Sequence, residues 1–204
     1  MNIKIFNQDL PKELDLTNEK VVALDNEALG LVLGRDPLTL VQIGLVSGDC
    51  YLIKLDRDNY DAPNLKKFLS NNKTEFIMHY ARQDLLWIQY HLGVKIKKIF
   101  CTKLASKIAR TASQYHGYKD LVKEICKKEI SKKEQQSDWG DPNLTDKQIK
   151  YAAQDTKYLF EIKEKLVKML DRDNRLSLYE KCLKILPVLV DMEISGFKIN
   201  IFDH

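Results

Sequence analysis

Residues 20–55, KVVALDNEALGLVLGRDPLTLVQIGLVSGDCYLIKL, decide the fold. Residues 20–27 read as a buried strand running into a polar end. Residues 38–46 and 50–55 read as two more strands, joined by the turn signal Ser47-Gly48-Asp49. Together they predict an antiparallel meander early in the chain. Beyond it, helical spacing covers residues 64–69, residues 75–79 return to a strand, residues 82–92 are helical, and residues 97–101 read as a fifth strand. From Thr102 onward the pattern is helical, over residues 103–112, 118–126, 145–170 and 175–192. Thr145 with Gln148 three residues later reads as a capping box, and Pro187 predicts a kink or a restart. Strands with an intervening helix, then helices, make an α/β chain with a mixed central sheet flanked by helices and a helical C-terminal part.

The chain has 204 residues, 44% of them hydrophobic, which is one domain's worth with enough apolar residues for a core. No repeat, low-complexity tract or Gly/Ser linker divides it. The net charge of +4 argues against coating long nucleic acid by charge alone. The charge is uneven. The window 103–134 holds nine Lys/Arg and four acids, net +5, and the rest of the chain nets −1. Such a run is either a solvated helical face or a basic lip beside a phosphate site. Cys50, Cys101, Cys126 and Cys182 lie far apart with no C-x-x-C, so neither a zinc site nor a disulfide framework is expected. The opening MNIKIFNQDL does not read as a signal peptide, and no apolar run is long enough to span a membrane. A cytoplasmic location and no membrane partner are expected.

Asp25 and Glu27 end the first apolar strand, and positions i and i+2 of a strand point to one side. Two carboxylates that close repel, and a divalent cation is the usual remedy. A D-x-E alone is equally a solvated strand end. In EFIMHYARQD (75–84) an apolar strand runs into His79, and Asp84 follows in the next helix's first turn, where it also suits the helix dipole. Tyr151 and Asp155 stand i, i+4 on one helical face, either as site residues or as a surface hydrogen bond. Together these segments supply four acids and a tyrosine. Four carboxylates in one pocket are costly unless cations sit among them, and all-oxygen ligands favour Mg²⁺ or Mn²⁺ over zinc. A pair of such ions is the arrangement that hydrolyses phosphodiesters.

Asp25/Glu27, Asp84 and Tyr151/Asp155 resemble the three motifs of the DEDDy 3′→5′ exonucleases. The stretches FCTKLASKIARTASQYHGYKDL, ISKKEQQSDWG and LTDKQIKYAAQDTKYL resemble the RNase D group. With the chain's length and the ending FKINIFDH, they resemble its short alphaproteobacterial nanoRNase C branch. The resemblance implies the RNase H-like exonuclease fold, with an exonuclease domain over 1–172 and a C-terminal helical extension over 173–204 that packs on the domain or on a neighbouring subunit. It implies two divalent cations, Mg²⁺ or Mn²⁺. Asp25, Glu27 and Asp155 would hold the first, Asp25 would bridge to the second, and Asp84 would support that ion. Tyr151 would position the attacking water and help deprotonate it. DNEALG departs from the frequent D-x-E-T form in carrying Asn26, whose side chain is expected to point away from the metals.

The branch cleaves very short single-stranded RNA from the 3′ end, down to dinucleotides, and assembles as ring-like homo-oligomers up to octamers. The same chemistry serves DNA ends. Leu31 is expected to wedge against terminal bases, or else to be core. His79 is expected to contact the scissile-side sugar or phosphate. Lys103, Ser106 and Arg110 recur at helical spacing as a cationic stripe for a 5′ phosphate, or as a solvated face. Competing readings are 3′ trimming of tRNA, DNA exonucleolysis, and a decayed fold that only binds nucleic acid. The intact acids argue against the last.

Overall fold

In the computed structural model of the chain, residues 2–131, 133–134 and 136–196 are described. Lys132 of the basic window and the FKINIFDH ending at 197–204 lie outside them. The meander forms as its residues dictate. β2 (Val21–Ala28), β3 (Leu38–Gly44) and β4 (Cys50–Lys54) pair antiparallel in that order. β3 is buried along its whole length, as a strand covered on both faces must be. β5 (Glu75–Met78) adds parallel to β2, and β6 (Ile99–Cys101) parallel to β5.

A sixth strand, β1 (Ile3–Asn7), lies parallel to β4 at the sheet's edge, giving the order β1-β4-β3-β2-β5-β6. Sequence pattern alone marks five strands. Every residue of β1 is exposed or half-buried, so no buried alternation marks it.

Helices cover both faces. On one, α1 (Pro63–Leu69), α2 (Ala81–Leu92) and α8 (Leu186–Ser195) pack with Val22, Leu24, Phe76 and Met78 in the largest core. On the other, α3 (Thr102–Ala109), α4 (Tyr118–Cys126), α6 (Leu159–Arg172) and α7 (Leu176–Leu183) surround Ala23, Ile77 and Phe100. α5 (Asp146–Lys157) lies over Leu40, Cys50 and Leu52. The Lys95 and Gln89 side chains donate to Asp191, and Arg82 pairs with Glu193, tying α8 to the α2 segment. No helix among the described residues is long and apolar enough to cross a membrane.

The expected helix 145–170 is two helices. Gln154 and Tyr158 would share an α-helical hydrogen bond. Instead the Tyr118 hydroxyl donates to the Gln154 carbonyl (2.8 Å) and accepts from the Tyr158 N–H (3.2 Å). Apolar spacing continues through Leu159, Ile162 and Leu166, so the sequence does not betray the break. The expected 175–192 helix ends at Leu183 and restarts at Leu186, with Pro187 in the first turn of α8. α3 stops at Ala109 rather than 112, because Arg110 leaves helical geometry and its guanidinium donates to Ser106 and to the Tyr115 carbonyl.

Candidate active site

Alternation along β2 sends Asp25 and Glu27 to the face covered by α5, and Leu24 and Asn26 to the face covered by α2. Asn26 confirms this: its Nδ2 donates to the Asp84 backbone carbonyl (3.2 Å), so it clamps the first turn of α2 from behind the carboxylates. The β2–β3 register slips between Glu27 and Ala28, a bulge of the kind that re-aims a strand end.

β5 passes into α2 through Tyr80, whose backbone is left-handed (φ 66°). This corner directs α2's first turn, and Asp84 with it, toward the end of β2. Asp84 is buried at 4% exposure, with its carboxyl close to that of Asp25. Its Oδ2 is buried with no hydrogen-bond partner. A mere dipole partner would sit in solvent.

α5 begins as expected: the Thr145 side chain accepts from the Gln148 N–H (3.3 Å), and Gln148 Oε1 accepts from the Thr145 N–H (2.9 Å). Ala152 and Ala153 are wholly buried against Leu40, Cys50 and Leu52. These small residues let α5 approach the sheet closely and bring Asp155 to the β2 acids. Carboxylate oxygens of Asp25, Glu27 and Asp155 lie within 4.8 Å of one another. Tyr151 stands one turn earlier, with Trp139 packed 5.9 Å from its ring. All five residues line one cleft of about 880 Å³.

Burial pushes the Asp25 carboxyl up to about 6. Burial, then Asp25 and Asp155, push Glu27 well above the usual range. Burial and Asp25 do the same to Asp84. Burial, with Asp155, Glu27 and Asp25 nearby, pushes the Tyr151 phenol up as well. The cluster resists full ionisation by itself, which is what carboxylates assembled for cations do. A hard all-oxygen donor set of this spacing, plus the orphaned Asp84 oxygen, fits Mg²⁺ or Mn²⁺.

The structure treats the remaining expected residues differently. Leu31 is 82% exposed and lines the cleft, so it is not core. Its loop is pinned by Asp36, which accepts from the Val32 N–H (2.9 Å) and from a fork of Arg35. A Cβ on Gly30 would come within 2.1 Å of that carboxylate, so the turn requires glycine. His79 lines the cleft and shares a hydrogen bond with Thr102 Oγ1 (2.9 Å). Lys103 lines it too, its ammonium 3.8 Å from the centre of the Tyr80 ring.

The expected stripe is not assembled. Ser106 is wholly buried and bonded to His116 Nδ1 (2.8 Å), and Arg110 is paired with Glu124. Neither lines the cleft. Helical spacing placed them on one face without saying that the polypeptide of residues 110–124 covers that face. Tyr80, Tyr118 and Trp139 are cleft residues that sequence reasoning passed over. They are single aromatics in three separate segments, paired with none of the acidic motifs.

The chain is similar to known proteins in a consistent way. A family model described as 3′-5′ exonuclease matches residues 4–171. Ribonuclease D of Desulfotalea psychrophila is 31% identical over 159 residues, 78% of this chain and 42% of its own length. The chain spans between 31% and 43% of the length of the curated ribonuclease D relatives it matches. Brucella melitensis NrnC with bound Mg²⁺ is 36% identical, with a TM-score of 0.90 and 100% of both chains covered. The same protein bound to pGG is 38% identical, with a TM-score of 0.91 over 100% of this chain and 99% of that one.

Proposed function

The chain belongs to the 3′-5′ exonuclease family, as a ribonuclease D-type enzyme close to NrnC, and on that premise we propose that it hydrolyses very short RNA, dinucleotides included, from the 3′ end to nucleoside 5′-monophosphates. The observation that carries this is the convergence of Asp25, Glu27, Asp84, Tyr151 and Asp155 on one cleft. The cleft's volume, about 880 Å³, is near the upper end of the range of roughly 300–1,000 Å³ for pockets that enclose a small ligand. The similarity to an NrnC seen with pGG supports a substrate of that size.

Asp25, Glu27 and Asp155 would hold one divalent cation, and Asp25 with Asp84 a second, Mg²⁺ or Mn²⁺. Bound there, the cations supply the Lewis acidity that lowers the pKa of an attacking water and neutralises a leaving oxygen. Tyr151 orients that water. A tyrosine, with an ordinary pKa of about 10, is a poor base at neutral pH, so the cations would do most of the activation while Tyr151 orients the water and helps deprotonate it. Leu31, exposed on a loop that Asp36 pins, would wedge against a base. His79 presents an imidazole to the sugar–phosphate, and Lys103 an ammonium to a 5′ phosphate.

A length series of 5′-phosphorylated RNAs from two to about twenty nucleotides, with matched DNA and Mg²⁺, tests the proposal. The dinucleotide is expected to be cleaved at least about tenfold more efficiently than the longest RNA, a difference of about 1.4 kcal/mol. A dinucleotide cleaved no faster than long RNA ends this reading. Preferential trimming of tRNA-like 3′ tails supports a structured-RNA enzyme, and faster cleavage of DNA a DNA exonuclease.

We further propose that the extension over 173–204 joins copies of the chain into a homo-oligomeric ring in the cytoplasm. Leu178, Ile185, Val188 and Met192 on α7, α8 and their junction are at least half exposed, and an apolar face of this kind is stabilised by covering it. Sedimentation as a single species of 23.7 kDa contradicts this part.

A further inference from the structure

Tyr118 opens α4, lines the cleft with its ring 5.7 Å from that of His79, and has no part in the mechanism above. Its hydroxyl is the group inserted between the Gln154 carbonyl and the Tyr158 N–H. A side chain entering the i→i+4 ladder is one of the few physical causes of a sharp helix break. Burial, and then Asp155 close by, push the Tyr118 phenol up, so it remains an O–H that donates and accepts together.

The break separates two halves with different supports. α5 rests on the sheet through Ala152, Ala153 and Thr156, and a Cβ on Gly44 would come within 2.7 Å of the Thr156 hydroxyl oxygen. α6 rests against the other helices through Leu159, Ile162 and Leu166. Asp155 lies between Gln154 and Tyr158, inside the turn that the Tyr118 hydroxyl holds open. The helix half that must bring Asp155 to Asp25 and Glu27 is therefore uncoupled from the half committed to the helical layer.

We propose that Tyr118 is the positioning residue of Asp155: by holding open the Gln154–Tyr158 turn it sets where that carboxylate meets Asp25 and Glu27, and so the cluster's affinity for a divalent cation. This deepens the cation-dependent reading of the site and rests on it. The role belongs to the hydroxyl rather than to the ring, which packs with the apolar residues of the helical layer.

Tyr118→Phe removes only the hydroxyl. The Tyr158 N–H keeps its contact with the Thr156 carbonyl and the turn is free to close toward an ordinary helical bond, so the fold persists and the melting temperature changes little. Mg²⁺ affinity, titrated by calorimetry without RNA, is expected to fall about tenfold or more, the usual consequence of losing a group that orients a ligand. The kcat for short RNA falls with it, and KM for RNA at saturating Mg²⁺ stays. Tyr118→Leu, which also lacks the hydroxyl, carries the same expectation should the phenylalanine protein be too unstable to titrate.

Unchanged Mg²⁺ affinity in either folded variant overturns the assignment. A raised KM for RNA with Mg²⁺ affinity intact overturns it too, because Tyr118 would then be a substrate contact. Reduced Mg²⁺ affinity in the variants, with a wild-type protein that cleaves no short RNA, upholds the positioning role and removes the substrate reading instead.

Discussion

Asp155→Ala is expected to lower kcat on short RNA by more than about a thousandfold, or about 4 kcal/mol of transition-state stabilisation. Its carboxylate is one of three whose oxygens lie within 4.8 Å, and two remaining ligands hold a small divalent ion poorly. The loss will not come from unfolding. Removing one of several mutually repelling acids relieves the metal-free protein, which is expected to melt no lower than the parent at neutral pH.

The pH dependence has a definite sign. Asp25 titrates near 6 in the folded chain against 3.8 ordinarily, and Glu27 and Asp84 are raised as well. Between those values the folded state binds more protons than the unfolded one. Stability of the metal-free protein therefore falls as pH rises from 3.8 through about 6. Mg²⁺ opposes this fall. At roughly a hundredfold above its Kd, it is expected to raise the parent's melting temperature by roughly 5–10 °C. The slope should be shallower in Asp155→Ala, because Asp155 is one of the charges that raise Glu27. Calorimetric scans from acid to neutral pH, with EDTA or with Mg²⁺, read all three effects. An Asp155→Ala protein with parental activity, or with the parental Mg²⁺ response, removes the metal-site assignment.

Tyr151→Phe is expected to lower kcat about a hundredfold, the scale of misorienting one reacting group, with KM for RNA and Mg²⁺ affinity unchanged. The ring that packs against Trp139 is kept, so stability changes little. Only the hydroxyl beside the carboxylates is lost. With the cations doing most of the activation, the kcat–pH profile of the variant should keep the parent's shape at a lower level. A variant at full rate removes Tyr151 from the mechanism. A variant profile that loses the parent's rise with pH identifies the phenol as a base after all.

Much of this was legible in the residues. The meander of β2, β3 and β4 follows from three apolar runs and one turn signal, and α4 begins and ends where its spacing says. The four acids and Tyr151 were legible as a set, Asp25 and Glu27 at a strand end, Asp84 in a helix's first turn and Tyr151 and Asp155 on one helical face, although each alone had an ordinary reading. What was not legible depends on partners far away in sequence. β1 is recognisable only through its pairing with β4, since its own side chains are not buried. Helical spacing predicted the Lys103–Ser106–Arg110 stripe, but Glu124 and His116, from beyond the end of α3, occupy two of its members.

By itself the sequence determined most of the elements, the faces of those it marked, and the chemical identity of the cluster. Side-chain period and polarity are local properties, and they survive without a partner. Only the tertiary structure decided which of those faces meet. It set Asp84 against Asp25, exposed Leu31 at the cleft while burying Ser106, and broke a continuous helical pattern at Tyr158 with a hydroxyl contributed forty residues earlier. A contact between segments depends on where the packed core lets each backbone lie, and no single stretch of this chain carries that information.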